Sequence, residues 1–173
     1  MKNELLELLK TRRSVRKYRP EQIRPEELDA VLEAGTYAPT ARGAQSPVIV
    51  AVQDRETWDF ISRLNAQVMG SESDPFYGAP SIVLVLADPS FDTCVEDGSC
   101  VLATLMQAAH ALGLASCWIH RERQIFESQE GKALLKKWGL PDNLRGVGAI
   151  ALGYAEGDPP QPKPRKADYI VKI

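Results

Sequence analysis

From Ile82 to Ala87, within SIVLVLAD (residues 81–88), six apolar residues follow one another without interruption. A strand with one face in water alternates apolar and polar residues, so an unbroken run predicts a strand covered on both faces. The chain must therefore supply two covering layers. One is expected from GSCVLATLMQAAHALG (98–113), which is apolar nearly all round and predicts a central helix within a span from about Asp92 to Leu114, ended by Gly113.

The remaining segments fill in the frame. PVIVAVQ (47–53), read as buried, ASCWIH (115–120) and GVGAIALGY (146–154) predict three further strands. Leu5, Leu6, Leu8 and Leu9 mark a helix from residue 3 to about 11. A second runs from Pro25 through Leu28, Val31 and Leu32 to Gly35, with Glu26 and Glu27 favourably placed in its first turn. Asp54 is suited to cap a helix whose Trp58, Ile61, Leu64 and Val68 share one face. Another carries Leu134, Leu135 and Trp138 and stops at Gly139-Leu140-Pro141. Loops are expected at APTARGAQSP (38–47) and GSESDPFYGAP (70–80). After Gly157, four prolines in DPPQPKPRKADYIVKI force an extended arm, 158–173. Its Tyr169, Ile170, Val171 and Ile173 are expected to join a sheet edge, that of a partner subunit. The expectation is one domain, 1–173, with helices around a short sheet and no internal repeats.

Composition excludes several classes. Twenty-one Lys and Arg against 23 Asp and Glu give a formal net charge of -2, which argues against a nucleic-acid surface. Cys94, Cys100 and Cys117 are odd in number and form no C-x-x-C, so neither a disulfide framework nor a zinc knuckle is expected, and a reducing compartment fits. MKNELLELLKTRR is amphipathic, without the apolar core of a signal peptide, and no apolar run is long enough to span a membrane. A cytoplasmic location is expected.

Three motif matches carry little weight. Ser14-Val15-Arg16-Lys17 fits S-x-x-K without the companion signatures of penicillin-recognising enzymes. Gly146 to Ala151 fits G-x-G-x-x-A, but inside a strand, whereas a dinucleotide turn needs strand, turn and helix start. His110, on the apolar helix, reads as a core residue, and no pair of potential ligands has metal-site spacing, so no metal is expected. A phosphate-cradling loop of the G-x-x-x-x-G-K type is missing as well.

TRRSVRKYRP (11–20) is more informative, with five basic side chains between Arg12 and Arg19. In an extended chain Arg12, Ser14 and Arg16 fall on one side and Arg13, Val15 and Lys17 on the other. Two guanidinium forks and a hydroxyl then converge, which suits a phosphate monoester. Lys163, Arg165 and Lys166 on the proline arm form a second basic group. The combination points to a phosphorylated cofactor.

These residues resemble a known family. TRRSVRKY, APTARGAQSP, GAPSIVLVLAD, QAAHALGLASCWI, GAIALGYAEGDP and PKPRK follow the order and spacing of the flavin-dependent nitroreductases over almost the entire chain. The resemblance implies an α+β fold, a short mixed or antiparallel sheet wrapped by helices, in an FMN-binding homodimer with two active sites at the interface. It implies that Arg12, Arg13, Ser14 and Arg16 grip the FMN phosphate and ribityl chain, with Arg165 and Lys166 closing on the phosphate. Pro39, Thr40, Ala41 and Gln45 match the loop that the other subunit lays against the flavin. Trp118 and Ile119 match the strand end beside the ring, and Asn65 is a further polar contact. The chain departs from the family at Gly43, usually Asn, at Ser46-Pro47, usually Pro-Trp, and at His120, often Gly.

The implied chemistry is the flavin's: hydride from NAD(P)H, then transfer to a nitroaromatic, a quinone or a similar flat acceptor in ping-pong order, with no catalytic dyad. Phe76, Tyr77 and His120 are candidates for shaping the acceptor pocket, with rim packing as the alternative. The departures leave open an FMN-binding storage or sensor protein with little turnover. An anion- or RNA-binding adaptor would be colourless and salt-sensitive.

Overall fold

In a computed structural model the chain is described from residue 3 to residue 173; Met1 and Lys2, which begin the amphipathic N-terminal stretch, lie outside the described residues. The elements are α1 (Glu4–Thr11), α2 (Pro25–Thr36), β1 (Val48–Val52), α3 (Arg55–Met69), β2 (Ser81–Ala87), α4 (Cys94–Ala111), β3 (Ala115–Ile119), α5 (Glu122–Glu127), α6 (Gln129–Lys137) and β4 (Arg145–Gly153).

Local chemistry sets their boundaries. Asn3 Oδ1 accepts from the Leu6 amide at 3.1 Å, and Asp54 Oδ2 from the Thr57 amide at 2.9 Å, so each caps the helix that follows. The helix expected between Ile119 and Gly139 is two, α5 and α6. Ser128, extended at φ -74 and ψ 165, ends the first, and its Oγ accepts from the Gly131 amide to start the second.

The strands form one sheet in the order β1-β2-β4-β3, every pairing antiparallel. Each residue of β2 is buried, as its unbroken apolar run requires. Ile82, Leu84 and Leu86 enter one core with Trp58, Ile61, Phe126 and Leu135, under α3, α5 and α6. Val83 and Val85 enter the other with Val31, Leu102 and Leu105, under α2 and α4. The architecture is α+β, helices on both faces of an antiparallel sheet.

Two expectations need correction. β1, read as buried, is an edge strand with a single neighbour; Val48 to Val50 are half-buried and Ala51 is exposed. Val68, on the apolar face of α3, is 41% exposed at its last turn. The arm from 158 to 173 is exposed, carries a turn at Ala167 and Asp168, and forms no strand with its own chain. Among the described residues no helix is long and apolar enough to cross a membrane.

One polar cluster ties the end of the sheet to α2. Arg24 Nη2 donates to Glu27 Oε1 at 2.7 Å, and Tyr154 Oη donates to Glu27 Oε2 at 2.5 Å. These bonds, Arg24's first, hold the Glu27 carboxyl down at about 2. A carboxyl depressed in the folded state contributes stability above its unfolded pKa, and loses it as pH falls through the folded value. Tyr154→Phe should therefore shrink the fall in Tm seen on acidification from about pH 4.5 to about pH 2. Identical acid slopes in thermal melts of the two proteins would refute this role.

Candidate functional site

The basic segment after α1 lies along the outer edge of β3. Ser14 forms a parallel bridge with Ser116, and the Val15 amide donates to Ser116 O at 3.1 Å. Val15 and Tyr18 point into the core, and Tyr18 Oη donates to Val15 O at 2.8 Å.

The segment does not keep a strict two-residue alternation: Val15 and Tyr18, three apart, enter the same core, and Arg12, Arg13 and Val15 all border one cavity. Burial pushes the Cys117 thiol pKa up, while the Arg16 charge, a Ser14 hydrogen bond and the Arg12 charge draw it down. Arg12 Nη1 is buried with no hydrogen-bond partner. A buried guanidinium nitrogen without an acceptor costs free energy, so its geometry suits an incoming anion. Arg13 does something else: its Nη1 donates to Lys10 O and Arg12 O, both at 2.7 Å, and so fixes the end of α1.

Beside this group lies a cavity of about 220 Å³ bordered by Thr11, Arg12, Arg13, His110, Ser116 and Pro159. Thr11 Oγ1 and His110 Nε2 are 2.9 Å apart. Burial, with the Arg12 and Arg13 charges, lowers the His110 pKa, which favours the neutral imidazole. Arg165 and Lys166 stay exposed on the arm; the Arg165 guanidinium donates to Lys163 O.

Further along β3, Trp118 is half-buried on the α4 side and Ile119 is buried on the other. A Cβ on Gly148 would stand 2.8 Å from Trp118 Nε1, so β4 seats the indole directly on its backbone. His120 is exposed where the strand ends. Asn65 is fully buried, and its amide is spent within the chain: Nδ2 donates to His120 O at 2.8 Å and to Glu122 Oε1 at 3.0 Å, while Oδ1 accepts from Arg121 Nε at 2.8 Å. Asn65 thus bears on the site through the turn it holds.

Of the acceptor-pocket candidates, Phe76 is a core residue, fully buried with its ring 6.0 Å from that of Trp58. Its neighbour Tyr77, at φ 58, turns outward and receives the Arg16 guanidinium 5.8 Å from its ring centroid.

Pro39, Thr40, Ala41 and Gln45 occupy a separate place. The Ala41 amide donates to Asp97 Oδ1 at 3.0 Å, and the Gln45 amide to Thr40 Oγ1 at 3.0 Å. Gly43 takes φ 64, a conformation that Gly and Asn both tolerate, so its departure from Asn changes a side chain rather than the loop's path. Asp97 lies near the start of α4 and His110 near its end, 13 residues apart, so this loop and the basic segment are separated by about 20 Å within one chain.

Sequence patterning missed Asp97, Arg121 and Glu122. Asp97 is a buried acid next to Glu96 in the first turn of α4, just ahead of the apolar run that starts at residue 98. Glu122 reads as an ordinary first-turn acid, and nothing local announces its burial.

Residues 9–154 match the Nitroreductase family. The fold superposes on the crystal structure of a nitroreductase with bound FMN from Bacteroides fragilis with a TM-score of 0.91, at 32% identity, covering 99% of this chain and all of that one. A nitroreductase with bound FMN from Desulfitobacterium hafniense gives a TM-score of 0.87 at 25% identity, both chains covered in full. An Archaeoglobus fulgidus protein named "Putative NADH dehydrogenase/NAD(P)H nitroreductase" is 29% identical over 161 residues, 90% of this chain and 87% of that one. The chain belongs to the nitroreductase family, and it is an oxidoreductase of that family.

Asp97→Ala should leave the Ala41 amide without its acceptor and cost about 1–3 kcal/mol in chemical denaturation. Hydrogen exchange at Ala41 should accelerate with it; an unchanged rate would mean that the loop is held by other contacts.

Proposed function

We propose that the chain binds FMN and passes hydride from NAD(P)H to a nitroaromatic, a quinone or a similar flat acceptor. The observation that carries this reading is the buried, unpartnered Arg12 Nη1 beside Ser14 and Arg16 on the edge of β3, in a chain that superposes along its whole length on a nitroreductase with bound FMN. The donor set fits the group: guanidinium forks and a hydroxyl suit a phosphate and ribityl oxygens.

When bound, FMN supplies the redox chemistry, accepting hydride from the nicotinamide and yielding it to the acceptor in ping-pong order. The protein's work is binding and placement. Arg12 and Arg16 hold the phosphate end, with Ser14 beside them. Arg13 supports them by fixing the chain that precedes Arg12. Trp118 and Ile119 place the strand end beside the ring, supported by Gly148 beneath the indole. Tyr77 and His120, both exposed, flank the way in for the acceptor, and Phe76, packed on Trp58, anchors the loop that carries Tyr77.

The reading includes a homodimer. The ~20 Å along α4 between the basic segment and the Pro39–Gln45 loop supports a site that a second copy's loop completes. α1 supports it too: no residue of this eight-residue helix is buried, and Leu5, Leu6 and Leu9 are 63%, 45% and 45% exposed. A short helix with an uncovered apolar stripe is marginal in water by itself. The arm, with Arg165, Lys166 and its apolar end, is free to reach the partner, close on the phosphate and extend a sheet edge.

The absorption spectrum of the purified protein tests the cofactor directly. A yellow protein bleached by NADH or NADPH without air, and recoloured by nitrofurazone or a quinone, is the expected result. A yellow protein that stays oxidised would instead indicate a flavin store or sensor, and a colourless one that takes up no FMN would refute the reading. Arg12→Ala should weaken FMN binding by about ten- to a hundredfold, the loss of charge-assisted bonds worth about 1.5–3 kcal/mol. Lys17→Ala, on the opposite side of the segment, should change it little. Equal losses would undo the assignment of the two sides. A monomer in sedimentation that still retains flavin would refute the shared site.

A further inference from the structure

The turn from β3 into α5 has only two residues, His120 and Arg121, and Arg121 sits at φ 89, in a region that costs a non-glycine residue about 1–3 kcal/mol. Such a turn persists only where its surroundings dictate it. Here one side chain dictates all of it. Asn65, fully buried on α3, binds the His120 carbonyl, the Arg121 Nε and the Glu122 carboxyl, three consecutive residues, through three hydrogen bonds of 2.8 to 3.0 Å.

β4 closes the turn from below. A Cβ on Gly146 would lie 2.3 Å from the Glu122 carbonyl carbon and oxygen, so α5 can start there only against a glycine. The Glu122 side chain is thereby driven into the core with no exposure, and its Oε2 has no partner. A carboxylate there would leave a charged oxygen desolvated and unpaired, whereas in the acid form the same oxygen is neutral and carries only the smaller cost of an O–H without an acceptor.

We propose that Glu122 in its neutral, protonated form, together with Asn65, is a positioning unit for the His120–Arg121 turn, and that ionising it releases the turn and weakens the cofactor site. The inference rests on the flavin reading, which sets the strand end at Trp118 and Ile119 beside the ring.

Burial pushes the Glu122 carboxyl up to about 8; the Arg121 charge and the Asn65 bond pull it partly back. The other charged groups on the packed elements are placed differently. Arg123 and Glu127 pair with each other, Arg55 pairs with Asp59, and Arg63 lies over Phe60. Glu56 on α3 and Glu130, Lys132, Lys136 and Lys137 on α6 are exposed, and Arg145 on β4 is half-buried. Only Arg121 among them acts on the Glu122 carboxyl.

The sign of the linkage separates two pH windows. A carboxyl raised in the folded state costs stability progressively as pH rises from its unfolded value, about 4.3, to its folded one, and no further above that. The turn itself should loosen only above the folded value of about 8, where the carboxyl ionises in place.

The test compares the full-length wild type with Glu122→Gln, which keeps the shape and cannot ionise, and with Glu122→Ala. FMN binding is read by quenching of flavin fluorescence from about pH 6 to about pH 9.5. Wild-type affinity should hold up to about pH 7.5 and fall about fivefold or more by pH 9, while Glu122→Gln keeps the neutral-pH affinity throughout. Parallel curves would overturn the proposal. So would a Glu122→Gln protein that binds as poorly as Glu122→Ala at pH 6, since the charged form would then be the working one. Thermal melts without FMN form the second arm: the wild-type Tm should drop relative to Glu122→Gln between about pH 5 and about pH 8 and then run level. A constant offset would overturn the buried proton. Should the wild type bind no FMN at any pH, the flavin reading and the turn's role in it both fail, and the melts alone still decide whether Glu122 holds a proton.

Discussion

The covering of the sheet on both faces is the constraint from which the rest of the molecule follows. β2 buries every residue, and successive side chains enter two separate cores. Each face therefore needs helices at close range. α4 comes closest on its side, because a Cβ on Gly98 would stand 2.6 Å from a Val147 methyl on β4. Interiors packed at this density have little slack, so the positions of α4 and of the strands below it are mutually fixed.

The candidate site hangs on that fixed frame. α4 carries Asp97 near one end, which holds the Pro39–Gln45 loop by the Ala41 amide, and His110 near the other, which meets Thr11 beside the basic segment. β3 runs past the same basic segment, seats Trp118 over β4, and ends at the turn that Asn65 ties down. Residues far apart in sequence thus meet along the β3 edge, in part through hydrogen bonds to backbone that set position without taking part in chemistry, while the Pro39–Gln45 loop is held a helix length away. The proposed flavin site is built the same way, from donors that the scaffold aims rather than from a catalytic dyad.

Much of this is legible in the order of residues alone. The apolar run of β2, the all-round apolar α4, the cap at Asp54 and the first-turn Pro25 are local signals, and each marks an element that forms in the expected place. The alternation of TRRSVRKY is kept only in part: Val15 and Tyr18, three apart, both enter one core, and Arg12 and Arg13 border the same cavity. The edge position of β1 is not legible, since an apolar strand reads alike with one neighbour or two. Phe76 and Tyr77 are adjacent aromatics on one loop, and only packing sends the first to Trp58 and the second outward to Arg16.

The sequence by itself therefore determined the elements and the doubly covered sheet, because these depend on periodicity and on residue chemistry within a few positions. Tertiary structure alone decided that Asn65 is spent on the turn at residues 120–122, that Glu122 is buried, and that the Pro39–Gln45 loop lies a helix length away from Arg12. Those facts depend on which distant segments meet, and burial and separation are properties of the packed chain that no local pattern encodes.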